Sequence, residues 1–471
     1  MLRTKLPLFV ASVVAALYCL AGPAAAAGKG NGKWLIDDFA MGSFPKLSKP
    51  KHGVPFVDPV THMTIVRVTD GETDGYAAGR YHRASGGYPK HSIENCDGTY
   101  LSIAIYAKGK GMSLYDAKKF RFIKPFAGYG NTKPTREETR WDGRDPAVIY
   151  YCWGYSGNAS KFFKQNVETG AITLLHDFKD EFPGASYAAS AEEGDSSADS
   201  RYWAFYVKGG GNRAIVCYDK DAQGRDKGKV ISKLENARTN WAGMSPSGKY
   251  VILGETGTHY DREFKKKIKS PANHGHNDLV LDDEGREALY NAKAVSDLET
   301  GKTTRYPMQR APYRPWKLYH KIDGKPASSF GYHVSGNSYG TPGWAVISTY
   351  SAKTDQQLIY YPEQSVLLVE VTHRAKPAPR VWRLIYHRSA RKVSSDDPFA
   401  KANMAGTRVY YGSNWNNPGG AYDVYCVQMP DGWYEKVMGV AKAKSLREKA
   451  AKLTGLTVEE LTDKKSNNKK R

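Results

Sequence analysis

The chain has 471 residues and a formal net charge of +21, and +19 remains when Arg3 and Lys5 are set aside with a leader segment. A field of that sign favours anionic partners. Its five cysteines, Cys19, Cys96, Cys152, Cys217 and Cys426, lie too far apart for a disulfide framework or a zinc ribbon, so they read as thiols, the last four of them buried.

Along the chain, Arg3 and Lys5 precede an apolar run from Leu6 to Leu20 and a small-residue stretch ending at Ala27. This is the pattern of a secretory signal peptide over 1–27, and the run falls short of the roughly 20 residues a spanning helix needs. The expectation is a secreted or periplasmic protein with no stable membrane insertion. Export also makes an acidic polysaccharide a more natural partner than nucleic acid.

From Tyr100 to Met429, short runs rich in Tyr, Val, Ile and Trp alternate with turn signals. Asn95-Cys96-Asp97-Gly98 precedes Tyr100 to Tyr106, Ser197 to Ser200 precedes Tyr202 to Val207, and Ser245-Pro246-Ser247-Gly248 precedes Tyr250 to Leu253. Asp282 to Gly285, Met404 to Gly406, Asp145-Pro146 and Thr341-Pro342-Gly343 repeat the same turn-then-strand unit, which makes seven copies. Repeats of four short strands at this spacing are propeller blades. The fold class expected is all-β, a single seven-bladed β-propeller over 28–438, with a short basic helical tail over 439–471. Blades are placed at 86–128, 129–180, 186–235, 238–272, 273–310, 330–387 and 395–438, and Phe56 to Val68 supplies a strand that closes the ring and removes its edge. Two basic stretches, Tyr260 to Ala272 and Arg310 to Ser329, interrupt the repeat and are expected as long loops on one face. The tail from Lys442 to Arg471 has ten Lys or Arg against four acidic residues and is expected to be a solvated helix.

In each repeat the strand before the turn is innermost, so its polar groups face the central funnel. Those segments hold Tyr88, Lys90 and His91; Arg140 and Trp141; Glu192 and Glu193; Asn240 and Trp241; His274, His276 and Asn277; His333 and Asn337; and His387 or the loop near Asp396. Such a set suits the binding and turnover of an acidic sugar. Glu192 and Glu193 are adjacent and face opposite sides of a strand, so they cannot serve as a glycosidase pair. A non-catalytic propeller that binds acidic polysaccharide or envelope components is the competing reading, and a hydrolase ranks below it.

Tyr88-Pro89-Lys90, Arg140-Trp141 with Asp145-Pro146, Glu193-Gly194-Asp195, His274 to Asp278, His333-Val334-Ser335 and Ser413-Asn414-Trp415 together resemble the seven-bladed propeller polysaccharide lyases that include ulvan lyases and oligogalacturonate lyases. The resemblance spans nearly the whole chain after the leader. It implies β-elimination beside a uronic acid, with Arg140, Asn240 and His276 neutralising the carboxylate and a histidine or tyrosine moving the proton. Where such enzymes carry a histidine before the Tyr-x-Lys segment this chain has Ser85-Gly86-Gly87, which leaves His91 and His82 as candidates. Tyr129, Tyr155 and Tyr187 are the candidate tyrosines, Tyr187 foremost. Lys90, Trp141, Trp241, Asn277 and Asn337 would bind substrate. Zinc at His276, His333 and His387, or calcium, is the cofactor the resemblance allows, with Gly336 standing where a cysteine ligand would be. A monomer is expected.

Overall fold

The computed structural model describes residues 46–78, 81–129, 133–152, 159–306, 331–351, 364–374, 377, 379–390 and 396–462, with a small hairpin of Lys321–Ile322 and Lys325–Pro326. Seven antiparallel sheets radiate from a central axis, a seven-bladed propeller. Six are built from consecutive strands, spanning 84–125, 139–177, 185–235, 242–269, 278–305 and 332–386. The seventh combines Lys401–Ala402, Arg408–Ser413 and Asp423–Gln428 with Thr64–Arg67 and Phe56–Val57 from the other end of the chain. Thr64–Arg67 lies antiparallel to the 425–428 segment, with Ile65 opposite Val427. Joining both ends of the chain in one sheet closes the ring and covers an edge that would otherwise expose unpaired backbone groups.

The repeat follows from turn chemistry. Asn95 Oδ1 accepts the amides of Thr99 and Tyr100, and Asn403 Oδ1 does the same for Thr407 and Arg408. Asp282 accepts from Glu284 and Arg286, while the Ser197 and Ser245 hydroxyls accept from Tyr202 and Tyr250. A short polar side chain bonding to the backbone just ahead of it stabilises such turns. The following strand in each blade is flanked by neighbouring blades, so Val148–Cys152 and Trp344–Thr349 are buried throughout. That is why Val148–Cys152 appears in the sequence as an unbroken apolar run, and Trp344–Ile347 as another. Outer strands such as Arg121–Pro125 alternate between exposed and half-buried positions.

Three expectations change. The 260–272 stretch is not a loop: Thr258–Asp261 and Lys267–Lys269 are the outer strands of blade four. The tail is not simply solvated. Its helices α1 (Trp433–Met438), α2 (Val440–Thr454) and α3 (Val458–Leu461) lie across the face that carries the seven turns. Leu446, Ala450 and Leu461 are buried, with Ala450 and Leu461 packed against Ala198 and Leu281, while Arg447 donates to Gly340 O and Arg144 to Gly455 O. Helix α2 therefore contributes an apolar stripe to the fold and leaves its lysines outside. Finally, the inner-strand candidates mostly flank the strands: His276 precedes Asp278–Leu281 and Trp241 precedes Ala242–Met244. Cys96, Cys152, Cys217 and Cys426 are free thiols, three of them buried. Residues 1–45, Trp153, Tyr155 and the 310–329 stretch lie outside the described residues, apart from the backbone of the small hairpin.

Candidate functional site

On the side opposite the turns, loops and strand ends of several blades bring polar groups together around His276. The half-buried His276 imidazole is bonded on both sides: the Tyr88 hydroxyl lies 2.9 Å from Nδ1 and the Tyr350 hydroxyl 2.7 Å from Nε2. Tyr88 comes from the loop after the inner strand of blade one, and Tyr350 follows the second strand of blade six. Buried His333 lies against this group, its ring 4.6 Å from His276, 4.9 Å from Tyr350 and 4.5 Å from Phe399.

Lys90 extends the network. Its buried ammonium sits 2.9 Å from Glu193 and 3.5 Å above the Trp241 ring. Asn337 Nδ2 donates to the Lys90 carbonyl at 2.6 Å. Burial first, and the Glu193 carboxylate beside it second, push the Tyr88 hydroxyl far above its ordinary range, so Tyr88 remains a phenol. His276 is shifted below its usual value by burial, against the pull of Glu193, and is neutral near pH 7. A neutral imidazole has one donor and one acceptor. If Tyr88 gives its proton to Glu193, it accepts from Nδ1–H, which leaves Nε2 to accept from Tyr350. Every partner is then satisfied, and the Tyr350 proton points at a base.

The expected site residues separate. His276, His333, Lys90, Trp241 and Asn337 meet around this network. Arg140 does not face the funnel as a free cation. It is 2% exposed, and its five N–H groups reach Gly194 O, Glu137 O, Thr139 O and the Ser190 hydroxyl at 2.6–3.1 Å. Together with Glu138, whose carboxylate accepts from Ser190 and Glu192, it shapes the loop that carries Glu193. Trp141 donates to Ile93 O and packs on Phe126, a core role. Asn277 is buried and bonded to Gly275 O. Asn240 is exposed ahead of blade four, and Tyr187 lies under Lys208 at 4.3 Å on the inner strand of blade three. His82 meets Ala77 O, while Tyr129 is exposed and lies against Phe163.

His91 is buried with neither ring nitrogen partnered, and burial together with Arg140, Lys401 and Lys90 holds its pKa well down. It is next to the network, with its ring 6.3 Å from Tyr88. The zinc set does not form. Among the described residues no three His, Cys, Asp or Glu converge as metal ligands, and the His387 ring instead accepts the Ser389 amide.

Tyr350, Arg136 and Lys401 were not among the expected residues. Tyr350 lies just past Trp344–Thr349, the second strand of blade six. Arg136 is half-buried at the turn before the inner strand of blade two and engages Glu137 through Nε. Lys401 opens the inner strand Lys401–Ala402, and none of the three stands in a motif that marks it in the sequence.

No family model and no curated protein matches the chain. Among solved structures it is similar to an oligogalacturonate lyase from Vibrio parahaemolyticus, with 13% identity, a TM-score of 0.51, and coverage of 81% of this chain and 97% of that one. An oligogalacturonate lyase in complex with manganese gives 11% identity, a TM-score of 0.52, and coverage of 80% and 96%. BamB from Moraxella catarrhalis also matches, at 9% identity and a TM-score of 0.35 over 73% of this chain and 85% of that one. At these identities the likeness establishes the fold.

Proposed function

We propose that this chain is an exported polysaccharide lyase that cleaves a uronic-acid-containing acidic polysaccharide by β-elimination, an ulvan-like sulfated polymer being one member of that class. The observation that carries the reading is the Tyr88–His276–Tyr350 arrangement, a neutral imidazole with a phenol on each nitrogen. Fold likeness to two oligogalacturonate lyases supports it, as does the charge of +21.

Elimination needs a base for the proton α to the uronate carboxylate, a cation to stabilise the charge that develops, and a proton for the departing oxygen. Tyr350 transfers its phenolic proton to His276 Nε2 and takes the C5 proton. The C5–H electron pair becomes the C4=C5 bond, the C4–O4 bond breaks, and the re-formed phenol protonates O4. The imidazolium is balanced by Glu193 through Tyr88, then returns its proton when product leaves. Lys90, held between Glu193 and the Trp241 ring beside this network, is the cation assigned to the developing charge in this reading. The manganese of one structural neighbour has no matching ligand set among the described residues, and these steps use none.

One observation favours the competing reading of a binding propeller. Arg140 is fully engaged by protein groups, and Lys90 is already paired with Glu193. Incubation with a panel of uronate polymers separates the two. A lyase raises ultraviolet absorbance by creating an unsaturated uronate, whereas a binding propeller retains polymer without that signal.

A further inference from the structure

Lys401, the first residue of the innermost strand of blade seven, is only 2% exposed. Its ammonium has three N–H groups, and three consecutive carbonyls accept them: Gly86 at 2.8 Å, Gly87 at 2.6 Å and Tyr88 at 2.7 Å. Burial, aided by Arg136 and Arg140, pushes its pKa well down, so the surroundings otherwise oppose a cation. An apolar residue of similar volume often packs as well as a buried charge or better. The ammonium therefore needs a reason beyond filling space.

The loop it holds supplies one. Gly87 has φ +87°, a conformation open mainly to glycine. A Cβ on Gly86 would fall 2.4 Å from Ile93 Cδ1, so the chain lies pressed against the core there. Two successive glycines bring no side chain to fix their path. The third carbonyl belongs to Tyr88, whose hydroxyl meets His276. Two residues on, Asn337 from blade six holds the Lys90 carbonyl. The 86–90 loop is thus clamped from two other blades on either side of the residue that orients His276.

We infer that Lys401 is a positioning residue: its buried ammonium sets the path of the Gly86–Tyr88 backbone, and so fixes the Tyr88 hydroxyl against His276 Nδ1. The catalytic consequence rests on the lyase reading, whereas the positioning does not.

The test is made on the full chain with ¹⁵N-labelled histidine. Lys401→Met keeps an unbranched apolar stem, one atom shorter, and removes all three donors. At fixed pH, the His276 ring-nitrogen shifts, assigned with His276→Gln, should move in the direction produced by Tyr88→Phe. With a cleaved polymer, kcat should fall about 10²-fold with a smaller change in KM, as for a reacting group displaced by about 1 Å. Should Lys401→Met fail to fold, Lys401→Gln retains two of the three N–H donors on a shorter side chain, and Gly87→Ala strains the same loop without touching Lys401. Both should shift the His276 signals. Wild-type His276 signals in the folded variants overturn the assignment. The histidine measurement needs no turnover, so it stands even if no polymer is cleaved.

Discussion

Replacing Tyr350 by Phe removes one oxygen from the funnel and leaves the ring in place. The hydroxyl makes the 2.7 Å bond to His276 Nε2, whereas the ring contact with His333 at 4.9 Å survives. A neutral hydrogen bond of this kind contributes about 1 kcal/mol net to stability. In a chain this long that corresponds to a melting shift of about 2 °C. The chemical loss is far larger, because removing a positioned proton acceptor lowers kcat by roughly 10²–10⁴-fold, a barrier increase of about 3–5 kcal/mol. Thermal melts and initial rates of unsaturated-product formation, measured on the same preparation, give both quantities. A kcat within an order of magnitude of the wild type in a folded Tyr350→Phe variant would refute the assignment of Tyr350 as base. So would a fall in rate that merely tracked the folded fraction.

Arg140→Ala should behave in the opposite way, lowering stability by about 3–5 kcal/mol because Glu138 is left buried without its cation; calorimetry showing an unchanged melting temperature would contradict this. Stability should also fall in acid. His91, His333 and His387 have folded pKa values below the ordinary one through burial, that of His387 lowered to about 3. Their contribution is complete above the unfolded value of about 6.5 and is lost as pH falls below it, because the unfolded chain then binds more protons. Asp278 acts in reverse. Burial raises its pKa to about 7, so its contribution is present below the unfolded value and lost as pH rises through about 7. The melting penalty of Asp278→Asn should therefore shrink from pH 5 to pH 9, and a penalty independent of pH would count against it. Truncation after Gly439 should expose Ala198 and Leu281 and lower the melting temperature, whereas an unchanged melt would mean that α2 and α3 only rest on the surface. Retention of an acidic polymer should weaken from low to high salt, since the Debye length is about 8 Å at physiological strength; salt-independent retention would exclude attraction by exposed charge.

The architecture was legible because its signals are local. Asn95, Ser197, Ser245, Asp282 and Asn403 each bond to amides within five residues, so the repeat is written in the turns. The site was legible only in part, because it is assembled across blades. His276, just ahead of an inner strand, and His333, within one, could be singled out as histidines. Nothing near position 350 or 401 in the sequence shows that Tyr350 meets His276 or that Lys401 reaches Tyr88 O, 313 residues away. Arg140 misled for a related reason. A charged residue on an inner strand looks poised for a ligand, yet the loop at Glu193 folds back over it and takes its donors. The expected zinc set failed because His387 follows an outermost strand, Val381–Tyr386, rather than an inner one.

The mass of the fragments released from a defined oligouronate tests the central claim most directly. Elimination predicts that the cleaved bond yields one ordinary end and one unsaturated uronate, together equal in mass to the starting oligomer, and that Tyr350→Phe and His276→Ala slow the release of both fragments by roughly 10²-fold or more while remaining folded. Fragments together heavier by one water would show hydrolysis. Retention of the intact oligomer, with no fragments from any uronate polymer in the panel, would contradict the lyase and leave a propeller that binds acidic sugars without cutting them.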